Sequence, residues 1–366
     1  MRVTIPQPSL LKSLQVVERA VNDRSALPIL ANILFEIKES ALIVTATDLD
    51  VGIRYHTPVP DAPSLGAMTL PARRLTSIVR ELPDDSVTIE AKKNFAATLS
   101  CGASHFRIQG LPPEDFPIFP IVEQHDTVTI PPASLAQLIV QTAFAMSVEE
   151  TRFILNGTLL RVQGNTLTLA ATDGRRLAVA HGELSTPTKD LSVVVPAKTI
   201  RELNRLLQDS TEDAVRIAAL KDNQLLFEFG GVTIITRLID GQFPPYETVI
   251  PAQTNSTLTC SRALLIGAIR RASLMTTATS QAVVFEVAAN KLVISKESAE
   301  LGSAREELPA TFTGQPMTIA FNPEFWLEVL KILESEDVVI EMISADKPAV
   351  IRLPQFLYIV LPMKLA

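Results

Sequence analysis

Hydrophobic and polar positions along the chain follow two different periods. Ile33-Leu34-Phe35-Glu36-Ile37, Ala41-Leu42-Ile43-Val44-Thr45, Val87-Thr88-Ile89-Glu90 and Ala96-Ala97-Thr98-Leu99 are apolar, β-branched and alternating, the character of strands. Six segments between such runs carry a helical pattern instead, near 9–21, 71–82, 133–146, 197–208, 262–275 and 322–334. Pro71 suits the first position of its helix, where a missing amide hydrogen leaves nothing unpaired. Each helix with its strands forms one module, and six such helix-plus-antiparallel-strand modules predict an α+β fold.

The modules repeat in pairs. Val3-Thr4-Ile5-Pro6-Gln7-Pro8-Ser9-Leu10 returns as Val128-Thr129-Ile130-Pro131-Pro132-Ala133-Ser134-Leu135, and Leu70-Pro71-Ala72-Arg73 returns as Val195-Pro196-Ala197-Lys198. Phe116-Pro117 returns as Phe243-Pro244, two residues out of register, and a more diverged third copy opens at Leu258-Thr259-Cys260-Ser261-Arg262-Ala263-Leu264-Leu265. A period of about 125 residues is too long for a solenoid repeat and is the size of a domain. Three domains are therefore expected, at 1–125, 126–251 and 252–366. The linkers Ile118–His125 and Pro251–Ser256 are too short and proline-bearing to be loose tethers, which predicts a fixed arrangement.

At 366 residues, 47% hydrophobic and a mean hydropathy of +0.24, the chain can bury large cores. No apolar run approaches the roughly 20 residues that span a bilayer. Met1-Arg2-Val3-Thr4-Ile5-Pro6 does not open a secretory leader, so a cytoplasmic location is expected, with Cys101 and Cys260 as reduced, buried thiols. The net charge of −7 taken alone argues against nucleic acid.

Its distribution argues the other way. The first predicted helix carries Lys12, Glu18 and Arg19 (+1), and the second Arg73, Arg74, Arg80 and Glu81 (+2). The third carries no charge; the fourth carries Lys198, Arg201, Glu202 and Arg205 (+2). The fifth carries Arg262, Arg270 and Arg271 (+3), and the sixth Glu324, Glu328, Lys331 and Glu334 (−2). Helices at +6 leave −13 for everything else. If the helices share a face, that face attracts phosphates while the acidic remainder repels them. Such contacts carry no sequence information, and three tyrosines and one tryptophan make no platform for stacking single strands.

Nothing in the chain assembles a reaction centre. His56, His105, His125 and His181 are scattered without ligand spacing, and neither cysteine has a catalytic partner nearby. Asp84-Asp85 and Glu149-Glu150 are acidic pairs in turn-like surroundings. Gly230-Gly231 joins two apolar strands as a hairpin turn, with no Lys-Ser/Thr to complete a phosphate loop. Trp326 among Phe325, Leu327 and Leu330 reads as core. No catalytic residue, metal or cofactor is expected.

Ala171-Thr172-Asp173-Gly174-Arg175-Arg176-Leu177-Ala178 reads as two strands joined by a two-residue Asp-Gly turn of positive φ. Ala46-Thr47-Asp48 repeats its opening, but Leu49-Asp50-Val51-Gly52 follows there, and the third repeat has diverged to Ser295-Lys296-Glu297. The Gly174–Leu177 continuation thus belongs to the second repeat alone. With the threefold repeat, Leu155-Asn156-Gly157 and the terminal Tyr358-Ile359-Val360-Leu361-Pro362-Met363-Lys364-Leu365, it makes the whole chain resemble the bacterial DNA sliding clamps, the beta subunit of DNA polymerase III.

That resemblance implies three clamp-type domains per chain and a head-to-tail homodimer closing a six-domain ring, with helices lining the hole and sheets outside. It implies a non-catalytic tether that holds the replicative polymerase on double-stranded DNA without regard to sequence. Arg24 sits where the family contacts DNA, beside the helical candidates Arg73, Arg80, Lys198, Arg201, Arg205 and Arg270. A pocket between the second and third domains would take short Gln- and Leu-rich hydrophobic tails of polymerase subunits and clamp loader. Its implied wall is Arg152, Leu155, Thr172, Gly174, Arg175, Arg176, Leu177, Pro244 and Val249, with Pro348, Ile359, Val360, Leu361, Pro362, Met363, Lys364 and Leu365. Arg175, Thr248, Ile154 and Glu149 depart from the family's usual residues and bear on peptide preference. Dimer contacts map to Phe106, Ile108, Leu274 and Met275, with Arg73 or Arg74 facing acids around Glu297, Glu300, Glu306 and Glu307. A rival reading is a peptide-binding scaffold that does not encircle DNA; an enzyme acting on nucleic acid finds no nucleophile, metal cluster or acid–base pair.

Overall fold

The computed structural model describes residues 1–38, 40–59, 65–120, 127–184, 189–208 and 213–364; His125, Leu365, Ala366 and most of the first linker fall outside them. Six α-helices occur among the described residues: α1 (Gln7–Val17), α2 (Ala72–Glu81), α3 (Pro132–Thr142), α4 (Ala197–Gln208), α5 (Arg262–Ser273) and α6 (Pro323–Ile332). Their existence and order follow the apolar periodicity. α2 buries Ala72, Leu75, Thr76 and Val79, spaced by three and four, and leaves Arg73, Arg74 and Arg80 exposed. α5 likewise buries Leu265, Ala268, Ile269 and Ala272 and exposes Arg270 and Arg271.

Some ends differ from expectation. α1 and α3 stop short and tighten into 3₁₀ turns at Glu18–Ala20 and Ala143–Ala145, a common way to satisfy terminal carbonyls. Pro71 is not the first helical residue. It ends the preceding strand and caps α2 in extended conformation (φ −60°, ψ 117°). α6 has a side-chain cap, Asn322 Oδ1 accepting from Glu324 N at 3.0 Å.

The chain forms two compact units. The first comprises Met1–Ala133 and Arg201–Leu238. It holds an antiparallel sheet of four strands in the order Arg2–Pro6, Ser86–Ala91, Ala96–Cys101, Ser104–Gln109. It also holds a sheet of eight, in the order Gly66–Pro71, Asn32–Lys38, Ala41–Thr47, Val51–Pro58, Val232–Arg237, Gln224–Phe229, Val215–Leu220, Val128–Ile130. Ala41–Thr47, expected to alternate, is buried from Leu42 through Thr47 because it lies inside that sheet. Gly230-Gly231 forms the expected two-residue turn, with φ of 52° and 74° between the paired residues Phe229 and Val232.

The second unit comprises Ser134–Ile200 and the chain from Ile239 onward. Its twelve-stranded sheet runs Leu191–Pro196, Gly157–Gln163, Thr166–Thr172, Arg176–Glu183, Phe356–Val360, Ala349–Leu353, Asp337–Met342, Ser256–Ser261, Gly302–Thr313, Lys291–Ser298, Val283–Ala288, Met317–Phe321. In both units the fourth strand of one repeat pairs antiparallel with the last strand of the next. Val51 faces Thr236 in the first, and Arg176 faces Val360 in the second. Trp326 is core as expected, 1% exposed against Phe285 and Phe321 with ring centroids 5.9 and 5.3 Å away. Both cysteines are buried and free, and burial with neighbouring Asp337 pushes the Cys260 thiol up to about 12. Among the described residues no helix is long and apolar enough to cross a membrane.

Candidate functional site

The loop between Thr166–Thr172 and Arg176–Glu183 is longer than the two-residue turn that Asp-Gly suggests. Thr172 pairs with Leu177, and only Gly174, at φ 85°, adopts positive φ. Side chains explain the difference. Asp173 Oδ1 accepts from Arg175 N (2.8 Å) and Arg176 N (3.1 Å), and Thr172 Oγ1 accepts from Gly174 N (3.0 Å). These bonds replace the direct cross-turn ladder with a wider, fully capped loop. Arg152 Nη1 donates to Asp173 O at 3.1 Å, and Leu361 N to Arg175 O at 2.9 Å, so the C-terminal segment continues along the loop.

Beside the loop lies a cavity of about 260 Å³, lined by Leu155, Thr172, Gly174, Arg175, Arg176, Leu177, Pro244, Pro245, Tyr246, Thr248, Val249, Ile359 and Leu361. Ten of these thirteen belong to the wall expected from sequence, and Thr248 to the positions expected to bear on peptide preference; Pro245 and Tyr246 are additions. Below them Leu177, Tyr246 and Ile359 join Leu159, Ala170, Val179, Val350 and Leu357 in one buried cluster, against which Phe243 and Ile250 pack. The floor is therefore rigid and apolar. The segment Tyr246–Val249 is pinned by Arg161, whose Nη1 donates to Glu247 Oε1 at 2.6 Å while its guanidinium lies 5.5 Å from the Tyr246 ring centroid.

The other expected wall residues stand around this cavity rather than in its lining. Val360 is fully buried, as alternation from Ile359 requires, and Pro348 is half-buried. Pro362 is half-buried, while Met363 and Lys364 are exposed, with Met363 N donating to Ala320 O at 2.7 Å. Arg152 is exposed beside Glu149, Nε to Oε2 at 3.5 Å, and the same carboxylate approaches Arg175 at 3.9 Å. The rim is polar and the floor apolar. Large hydrophobics nonetheless stay uncovered nearby: Val249 is 53% exposed, Leu361 41%. An apolar slot with a few convergent polar groups suits the side chains of an extended hydrophobic segment.

Arg176 is the charged exception, 8% exposed. Burial pulls its pKa down, but the hydrogen bond to Glu328, with the neighbouring Tyr358 and Asp173, more than compensates and leaves it raised. Tyr358 is buried, which pushes its phenol upward, and its hydroxyl donates to Phe325 O at 2.8 Å.

The basic candidates occupy helix faces and one turn. Arg24 is exposed in the turn after α1, where its N–H donates to Asn22 Oδ1. Arg73, Arg80, Lys198, Arg201 and Arg270 are exposed on their helices, and Arg73 pairs with Asp23 at 2.9 Å. Arg205 differs. Its Nε donates to Glu202 Oε2 at 2.9 Å and its Nη2 reaches Gln15 O and Val16 O at 3.4 and 3.3 Å, so it braces α4 to the end of α1. Among the dimer candidates, Phe106 is 37% exposed on the outer strand of the four-stranded sheet, whereas Ile108 is buried. Leu274 is 72% exposed just after α5, and Met275 is half-buried. Glu306 and Glu307 take Arg271 and Lys291 within the chain. Among the described residues no cluster of His, Cys, Asp or Glu could hold a metal ion.

Comparison with known proteins bears on the whole chain. Family models described as the N-terminal, central and C-terminal domains of the DNA polymerase III beta subunit match residues 1–120, 129–245 and 247–364. The beta sliding clamps of Synechococcus elongatus and Vibrio cholerae are 34% and 33% identical, each over the full length of both chains. Among solved structures, the sliding clamp of Bacillus subtilis superposes with a TM-score of 0.94 at 30% identity, both chains fully covered. A Pseudomonas aeruginosa sliding clamp bound to griselimycin gives 0.95 at 32%, again over both full lengths. The chain belongs to the bacterial DNA sliding clamp family, the non-catalytic beta subunits of DNA polymerase III.

Proposed function

We propose that two copies of this chain close head to tail around duplex DNA and tether the replicative polymerase, whose subunits, like the clamp loader, dock short hydrophobic tails in the cleft at Thr172–Leu177. In this reading the three clamp domains are 1–125, 126–251 and 252–366. The observation that carries the docking site is an apolar floor left open beneath a loop whose every turn is hydrogen-bonded, so the slot is preformed and little order must be created on binding.

Arg24, Arg73, Arg80, Lys198, Arg201 and Arg270 are the assigned phosphate contacts; Arg205, already committed to Glu202 and two carbonyls, contributes field more than contact. Topological linkage makes weak contacts sufficient, and weak contacts permit sliding. For closure, two strand edges support the reading. Among the described residues, Ser104–Gln109 pairs on one side only, and Gly302–Thr313 is paired on its second side only from Ala310 onward. Strand addition between such edges, with Phe106 and Leu274 beside them, would give a heterologous interface whose rotation closes.

Loading the protein onto nicked circular DNA with its loader, then linearising the circle, tests the reading. Release on linearisation is expected. Retention on linear DNA would mean binding by contact, and absence of any salt-sensitive association after loading would favour the scaffold that does not encircle DNA.

A further inference from the structure

Although Arg176 lines the cleft, all three of its guanidinium nitrogens are engaged by the protein. Nε donates to Asp173 Oδ2 at 3.1 Å, Nη1 to Glu328 Oε2, and Nη2 to Phe144 O at 2.7 Å. Its plane lies 4.4 Å from the Phe325 ring centroid and 5.5 Å from that of Phe144. Glu328 and Phe325 sit three residues apart on α6, hence on one side of that helix. α6 makes a second tie through Phe325 O, which accepts from Tyr358 Oη on the strand that carries Ile359. Both strands flanking the cleft are thus fastened to one helix, whose anchoring residues Glu328 and Phe325 are not among those that line the cleft.

We propose that Glu328 is a positioning residue for the peptide cleft. Resting on the reading of that cleft given above, it acts through Arg176 to hold the Thr172–Leu177 loop in its binding geometry. A buried guanidinium that loses one of its carboxylates must find another partner. The groups within reach are those of the loop itself, so the loop moves. By reciprocity, peptide occupancy also bears on α6.

The test is calorimetric titration of the full-length chain with a synthetic Gln- and Leu-rich hydrophobic peptide. It compares wild type, Glu328→Gln, Arg176→Met and the double variant, each first checked for native circular dichroism. Glu328→Gln is near-isosteric and should weaken the peptide about 10-fold, with the stoichiometry unchanged. The double variant should bind no more weakly than Arg176→Met alone, because the two act as one unit. Glu324→Gln, on the exposed side of α6, should leave affinity unchanged. Unaltered affinity in folded Glu328→Gln, or additive losses in the double variant, would overturn the positioning role. A wild-type chain that binds no peptide would instead overturn the cleft reading on which it rests.

Discussion

The Thr-Asp loop is built twice, once in each unit, with the same three side-chain-to-backbone bonds. Thr47 Oγ1 accepts from Leu49 N (3.0 Å), and Asp48 Oδ1 from Asp50 N (3.0 Å) and Val51 N (2.7 Å), matching Thr172 and Asp173 bond for bond. The strand from the following repeat then joins identically: Arg237 N donates to Asp50 O at 2.8 Å, as Leu361 N does to Arg175 O at 2.9 Å. Gly52 faces Ile235 where Leu177 faces Ile359. The side chains part company. A Cβ on Gly52 would lie 2.9 Å from Phe119 Cε2, so the first linker's own aromatic ring rests where a side chain would otherwise stand, under the Arg54 guanidinium at 4.1 Å. Arg237 replaces Leu361 and Leu49 replaces Gly174 at the rim, leaving a cavity of about 210 Å³ that includes Asp50, Gln224 and Arg237. The backbone supplies a cleft in both places; Asp50, Gln224 and Arg237 make the first more polar, whereas the second keeps Val249 and Leu361 exposed beside its apolar floor.

The largest expected effect comes from making the second cleft resemble the first. Leu361→Arg, at an exposed position, should cost about 100-fold in peptide affinity, near 2.8 kcal/mol, with little change in melting temperature. Titration of the folded variant checks it. Gly52→Leu does the reverse in the first unit and must displace the Phe119 ring. It should destabilise the chain by about 1–3 kcal/mol in denaturant unfolding while leaving peptide affinity alone.

Asp48→Ala and Asp173→Ala each remove two backbone acceptor bonds and should cost about 1 kcal/mol. The Asp173 change should also weaken peptide, since it frees one nitrogen of Arg176. The smallest effect is expected from Leu49→Gly. Leu49 holds φ 81°, close to the 85° of Gly174, and releasing that strain should stabilise by about 1 kcal/mol or less.

Much of this was legible in sequence, and the parts that were not share a cause. Helix centres, the threefold repeat and the Gly230-Gly231 turn follow from local period and local chemistry. The width of the Asp173 loop did not, because Asx and Thr side-chain bonds compete with the tight turn that Asp-Gly favours. Pro245 and Tyr246 were missed as cleft members, although Phe116-Pro117-Ile118-Phe119 and Phe243-Pro244-Pro245-Tyr246 place an aromatic three residues after each Phe. That recurrence was the available signal. Phe106 and Ile108, read from alternation as equals, differ in burial because their strand is an edge. Arg205 counts as a free positive charge in sequence and as a brace in the fold.

A chain that builds the cleft twice is nonetheless expected to offer one peptide site. Calorimetric titration of the full-length protein with the hydrophobic peptide measures this directly. One peptide per chain is expected, weakened about 100-fold by Leu361→Arg and untouched by Gly52→Leu. Two peptides per chain, or one whose binding is unchanged by Leu361→Arg but lost in Gly52→Leu, would contradict this.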